Sequence, residues 1–176
     1  MFNHKIMAAS AALFIALGGA ALGADAARKT ATAEVKNGKG EKVGEVKFKE
    51  VKGGVSMSAK VMNLPAGQHA IHVHEKGSCE APEFKSAGGH FNPAHKKHGL
   101  QNPEGHHAGD MPNMTVNAKG KGTFRTVIQG VTLEGTGDNS LFHQGGTSVV
   151  IHEKADDMKS DPAGNAGARL ACGPVQ

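Results

Sequence analysis

His72 and His74 are separated by one residue within an alternating run, residues 69–74. On a strand, positions i and i+2 point to the same side, so two imidazoles project together while Ile71 and Val73 face a core. Downstream come His90, His98, His107 and Asp110 within one segment, and then His152 at the end of another alternating run. Ser148, Val150 and His152 share a face there, which lets His152 return to the side of His72 and His74. Imidazoles and a carboxylate are the donors that Zn²⁺ and Cu²⁺ favour. Seven such groups exceed what one tetrahedral site requires, so two adjacent metals are the economical reading. An imidazole stripped of both N–H protons can bind a metal at each nitrogen, and one shared histidine then gives each metal four ligands. Spacing alone leaves open which histidine is shared.

The elements that must position these groups read as strands. Val46 and Phe48 alternate with Glu45, Lys47 and Lys49, and Val55, Met57, Ala59 and Val61 alternate with Ser56, Ser58 and Lys60. Further short runs fall at residues 31–36, 69–74, 114–117, 123–128 and 148–152. Turn signals separate them: Asn37-Gly38, Gly53-Gly54, Pro65-Ala66-Gly67 and Gly120-Lys121-Gly122. No helical period follows the first two dozen residues. About eight short strands with Gly-rich turns predict an antiparallel barrel or sandwich. Two long segments, residues 75–113 and 153–172, interrupt the rhythm; loops of that length in a compact domain are usually functional.

The bulk properties bound the setting. A chain of 176 residues holds one domain. Lys5, an apolar stretch over residues 6–22 and the small residues Gly23, Ala24 and Ala26 read as a secretory signal, residues 1–23, with cleavage somewhere in 23–26. Residues 24–176 are then the mature domain, with no membrane partner once the signal is removed. Both cysteines, Cys79 and Cys172, lie in that part, and in an exported protein such a pair reads as a disulfide. Closing so long a loop is worth roughly 4–5 kcal/mol in the chain-entropy picture. With no Trp or Tyr, the chain lacks the aromatic faces that a stacking nucleic-acid site needs, and no nucleic-acid partner is expected. The lysines read as a scattered, solvated surface, and a formal charge of +4 suits a small anionic substrate.

The motifs together carry a resemblance. His72-Val73-His74, Gly88-Gly89-His90-Phe91-Asn92-Pro93, His98-Gly99, His107-x-x-Asp110, the run from Val150 to Asp157 and the run from Gly164 to Cys172 resemble copper/zinc superoxide dismutases of the bacterial exported type. The match spans nearly the whole mature chain. It implies an all-β fold, an eight-stranded antiparallel Greek-key β-barrel of immunoglobulin-like sandwich type, with both metals outside the barrel under two long functional loops. Copper is then held by His72, His74, His90 and His152, and zinc by His90, His98, His107 and Asp110, with His90 the bridge. His106 yields to His107 because the family spaces these ligands His-x-x-Asp. The resemblance also assigns the Cys79–Cys172 disulfide. It makes Arg169 the cation beside copper and Asp156 the carboxylate joining His72 to His98. His4, His69, His95, His106 and His143 are left as ordinary surface residues.

What this implies about function is an oxidoreductase, a superoxide dismutase. It converts superoxide to O₂ and H₂O₂ by alternating reduction and reoxidation of a histidine-bound copper, beside a structural zinc. His90 and Arg169 are its catalytic residues. Antioxidant defence outside the cytoplasm follows, with the periplasm expected ahead of the medium and a homodimer among the expected states. The segment between His152 and Arg169 is shorter than in eukaryotic relatives, which leaves open which lysine guides substrate; Lys159 is a candidate. Two other classes share the fold, a copper-delivery module and a zinc-only structural barrel. The delivery relatives typically lack a copper ligand or the arginine, and all are present here.

Overall fold

The computed structural model describes Met1 and residues 28–176; the expected signal segment lies outside the described residues. Nine strands follow in chain order: β1 (Thr30–Asn37), β2 (Lys42–Val51), β3 (Gly54–Val61), β4 (Gly67–His69), β5 (Ile71–His74), β6 (Met114–Val116), β7 (Gly122–Gln129), β8 (Ser148–His152) and β9 (Arg169–Pro174). The alternation that predicts them is the alternation they show. In β1, Ala31, Ala33 and Val35 are buried while Thr30, Thr32 and Glu34 face out. Every ladder is antiparallel, in the order β4-β6-β7-β3-β2-β1-β9-β8-β5. The two ends of that order, β4 and β5, are consecutive in the chain, so the sheet curls into a nearly closed barrel. Among the described residues the only helical element is a 3₁₀ turn, Lys85–Ala87, and no helix is long and apolar enough to cross a membrane.

The seven alternating runs of the sequence become nine strands, against the eight that the resemblance implies, for two reasons. The run 69–74, expected as one strand, is two: β4 pairs with β6 and β5 with β8, so the chain changes partner at Ala70. The Ala70 N–H donates to the Lys154 carbonyl, and its own carbonyl accepts from His152 N–H. Period-two alternation runs unbroken through such a corner and cannot reveal it. β9, in turn, lies within a segment read as loop, because Arg169 and Gly173 dilute its apolar signal.

The barrel is filled by Phe48, Met57, Ile71, Met111, Met114, Leu133, Leu141 and Ile151, all fully buried. Each contributes roughly 1.5–3 kcal/mol by leaving water. A smaller cluster of Phe84, Ala87, Val150 and Cys172 lies on the outer side of β8 and β9 and anchors the long loop there.

That loop is also stitched to the free edge of β5. The Val73 N–H donates to Gly109 O (3.0 Å), and Val73 O accepts from Phe91 N–H (2.8 Å). The loop thereby covers an edge that would otherwise expose unpaired backbone groups. A Cβ on Gly109 would overlap the Val73 carbonyl, so only glycine permits this approach.

Candidate metal centre

β5 sends Ile71 and Val73 into the barrel and His72 and His74 outward, as alternation requires. β8 does the same with Val149 and Ile151 inward and His152 outward, opposite β5. The loop between β5 and β6 folds back over both strands and brings His90, His98, His107 and Asp110. All seven side chains are buried. They form two groups whose donor atoms lie within 4.8 Å of one another: His72, His74, His90 and His152; and His90, His98, His107 and Asp110. His90 alone belongs to both.

The hydrogen bonds decide which atom each ring leaves free. His72 Nε2–H donates to Asp156 Oδ2 (2.8 Å), and His72 Nδ1 is buried without a hydrogen-bond partner. His74 Nδ1–H donates to Gly88 O (3.0 Å), leaving Nε2, which lies 3.4 Å from His152 Nε2. His90 Nε2, turned to this group, is also buried and unpartnered. On the other side, His90 Nδ1, His98 Nδ1 and His107 Nδ1 converge on one oxygen, Asp110 Oδ1, at 2.8, 3.0 and 3.3 Å. His90 Nδ1 and His107 Nδ1 face each other at 3.3 Å. Four donors bound at about 2.0–2.1 Å in a tetrahedron would stand about 3.3–3.4 Å apart, close to these spacings. Asp110 Oδ2 is occupied separately, accepting from Gly99 and His107 N–H (2.9 and 3.0 Å). The donor sets therefore fit a cation in each group.

Charge is divided accordingly. Burial lowers His74 well below the ordinary imidazole range, aided by His90 and His152. Burial likewise brings His90 to about 4, against the pull of Asp110, and His152 to about 3, with His72 and His90 adding to it. These rings are neutral and ready to bind a metal. Burial opposes charge on His98 too, but its bonds to Asp110 and Asp156 outweigh it and raise the ring to about 9. Burial would also raise Asp110 and Asp156; their imidazole partners instead hold both below the usual carboxylate range.

Asp156 joins the two groups: besides His72 it accepts from His98 Nε2–H at 3.0 Å. Its backbone is clamped by Asn113, whose Oδ1 accepts from Asp156 N–H (2.8 Å) and whose Nδ2 donates to Asp156 O (2.9 Å). Gly164 has φ +62, and a Cβ there would overlap Asp156 Oδ1. Arg169, half-buried, donates to Phe84 O and Gly88 O, both at 2.6 Å. Its guanidinium borders a cavity of about 390 Å³ shared with His74, His90 and His152, the mouth of the centre. Cys79 and Cys172 are bonded, with Cα atoms 5.6 Å apart, tying the loop to β9.

Of the histidines expected at the surface, His95 and His106 are exposed, and His69 and His143 are not. His106 is exposed, its Nδ1 donating to His107 O, and it belongs to neither group. His69, expected on the surface, is 2 % exposed, with Nδ1 2.8 Å from His152 O and Nε2 2.9 Å from Pro65 O. The signal was available, since the alternation that turns Ile71 and Val73 inward turns His69 inward too. His143 is half-buried and stacks on Phe91 at 5.2 Å. His95 is exposed at the lip of the cavity, whereas Lys159 does not line it. Asn113 carried no sequence signal, and Gly164 entered only as the first residue of a family run, because their roles exist only once the two loops meet.

Residues 42–175 match the family described as "Copper/zinc superoxide dismutase (SODC)". The chain belongs to that family. It is 52 % identical over 145 residues to superoxide dismutase [Cu-Zn] 1 of Aquifex aeolicus, covering 82 % of this chain and 86 % of the relative. With the superoxide dismutase [Cu-Zn] of Caulobacter vibrioides it shares 42 % identity over 149 residues, 84 % and 86 % of the two chains. Among solved structures, a double mutant of a SOD-like protein from Bacillus subtilis superposes with a TM-score of 0.78 at 41 % identity, covering 81 % of this chain and 95 % of that one. The family's fold, its copper and zinc cofactors and its superoxide-dismutating activity are those that the resemblance implied. The disulfide is consistent with an oxidising compartment.

Proposed function

We propose that the two donor groups divide between a redox copper and a structural zinc. Copper would be held by His72, His74, His90 and His152, and zinc by His90, His98, His107 and Asp110. The observation that carries this division is His90, whose Nδ1 and Nε2 face different donor groups, one through Asp110 and the other without a protein partner. The group with a carboxylate suits zinc, which has a filled d shell and no redox chemistry; the all-imidazole group, open to the cavity, suits copper. When bound, copper supplies the one-electron exchange by which one superoxide becomes O₂ and a second becomes H₂O₂.

The chain's own residues do the rest. Arg169 docks the anion: its guanidinium is aimed by two carbonyls and borders the same cavity as His74, His90 and His152. Gly88 O, which accepts from both Arg169 and His74, keeps that cation in register with the imidazoles. His90 Nε2 is the atom suited to hold a proton and pass it to reduced dioxygen, because His90 lines the cavity and its Nδ1 stays engaged with Asp110. Asp156 fixes the tautomers of His72 and His98. Residues 1–23 act as the export signal, which accords with the disulfide, and the periplasm is the proposed compartment.

Metal analysis and dismutation are measured together on the exported protein. One copper and one zinc per chain with dismutation is the expected result. Zinc without copper would sink the enzyme reading, and full copper without turnover would make the chain a delivery module. Replacing His90 by Ala is expected to lower the affinity for both metals, whereas loss of one alone would rule out the bridge.

A further inference from the structure

The outward side chains of β1, β2, β3 and β7 form a wall on the far side of the barrel from the centre built on β5 and β8. Five of the 17 lysines and one of the three arginines stand there. Lys36, Lys42, Lys47, Lys49, Lys60 and Arg125 stand on it against only Glu34 and Glu45. That surplus equals the formal charge of the entire chain, +4, and without Lys5 of the signal segment the remaining Lys, Arg, Asp and Glu of the mature chain sum to −1.

Strand register sets them side by side. Thr32, Lys47, Ser58 and Arg125 make one row, and Glu34, Glu45, Lys60 and Thr123 the next. Glu34 is taken by Lys36 and Lys42, and Glu45 by Lys47. Lys49, Lys60 and Arg125 have no carboxylate within 4.0 Å among the described residues. Gly44, which has no side chain, and the short Ser58 leave a trough of about 550 Å³ among Lys42, Glu45, Lys47, Lys60 and Arg125.

Cations alone would suit any polyanion, but the wall carries more. Met62 borders the trough at 48 % exposure, and Val127, in the row of Lys49 and Ser56, is 43 % exposed. Six residues of β-strand, about 20 Å, separate the Met62 end from the Val127 end. Apolar side chains flanking lysines whose stems can lie flat are the composition that suits a headgroup interface, and a soluble polyanion has no use for them.

We propose that this wall docks the folded protein reversibly on an anionic phospholipid surface, with the mouth of the metal centre turned to solvent. It gives the mature chain a membrane partner that the sequence does not predict, and it stands apart from the metal assignments.

The test is co-sedimentation of the exported protein with vesicles of phosphatidylcholine containing about 30 mol % phosphatidylglycerol, and with phosphatidylcholine alone. Binding to the first and not the second is expected, with release at about 0.3 M NaCl, where screening shortens the Debye length. The double variant Lys60→Glu/Arg125→Glu is expected to bind about tenfold or more weakly while dismutating normally, which shows that it folds. Met62→Ser is expected to weaken vesicle binding and leave binding to dextran sulfate unchanged. Equal binding to uncharged vesicles, or undiminished binding by the double variant, overturns the proposal. So does full competition by dextran sulfate together with no effect of Met62→Ser, which would assign the wall to a soluble polyanion. Sedimentation equilibrium covers the last occupant: a dimer abolished by the double variant would assign the wall to a second copy.

Discussion

A carboxylate buried between two imidazoles can control both only while it accepts from both. Asp156 takes Nε2–H of His72 on one oxygen and Nε2–H of His98 on the other. In Asp156→Asn one side of the group becomes a donor, and the ring facing it must move its proton to the nitrogen that the metal needs. Such outer partners typically account for 10–100-fold in metal affinity, and a loss of about that size is expected here. Competition with a chromophoric chelator measures it, and unchanged affinity for both metals would sink the tautomer argument. Arg169→Ala removes the cation of the mouth without touching a ligand atom. Both metals are expected to stay, while kcat/KM falls roughly tenfold at low ionic strength, about 1.4 kcal/mol of transition-state binding. Equal rates for the variant would take substrate docking away from Arg169. At this scale the sequence is most legible where order and spacing repeat a known pattern, as in His107-x-x-Asp110. It is least legible for Asn113, whose amide braces Asp156 across 43 residues and obeys no local rule.

Elements add a different constraint, the route by which a loop reaches its strand. Cys79 anchors the long loop to Cys172 on β9, and the backbone carbonyls that aim Arg169, those of Phe84 and Gly88, lie within that anchored stretch. Cys79→Ser is expected to do two things. It removes a closure of 93 residues, worth roughly 4–5 kcal/mol in the chain-entropy limit, and so lowers Tm by on the order of 10 °C. It also frees the carbonyls that hold the guanidinium, so kcat/KM falls even where copper is retained. Calorimetry and a dismutation assay of the metal-loaded variant separate the two, and an unchanged Tm would deny the bridge a role in stability. Strands with one apolar face, such as β2 and β3, declare themselves by alternation. The partner change at Ala70 does not, because a corner in a barrel alters hydrogen-bond partners and leaves side-chain parity intact. β9 is hidden for a related reason: its outer face is covered by the loop, and the pattern of a strand buried on both sides is not alternating.

For the molecule as a whole, the buried imidazoles make stability depend on pH in a way that the metals should reverse. In the metal-free protein, His90 and His152 have folded values of about 4 and 3, and His74 is lowered as well. Their unfolded values lie near 6.5. Between these limits the unfolded chain takes up protons that the folded one refuses, so stability falls as pH drops from about 6.5 towards 4. His98 works in the opposite sense. With a folded value of about 9, it favours the fold fully below about 6.5 and loses that contribution as pH rises through 9. Lowered Asp110 and Asp156 add stability that disappears only in strong acid. The Tm of chelator-treated protein should therefore peak near pH 6.5–7 and decline on both sides. On the proposed assignment His98 and Asp110 would both hold zinc, and a metal ligand must be deprotonated, so the proton between His98 Nδ1 and Asp110 Oδ1 would leave on loading. Loading should then abolish the alkaline decline and raise the whole curve, by about 4 kcal/mol at a thousandfold excess of free metal over Kd. Calorimetry from about pH 4 to 10, with and without metal, reads both limbs. A metal-free Tm that stays level between about pH 7 and 9.5 would mean that His98 holds no such proton, and that its imidazole is neutral beside the Asp110 carboxylate before the metal arrives.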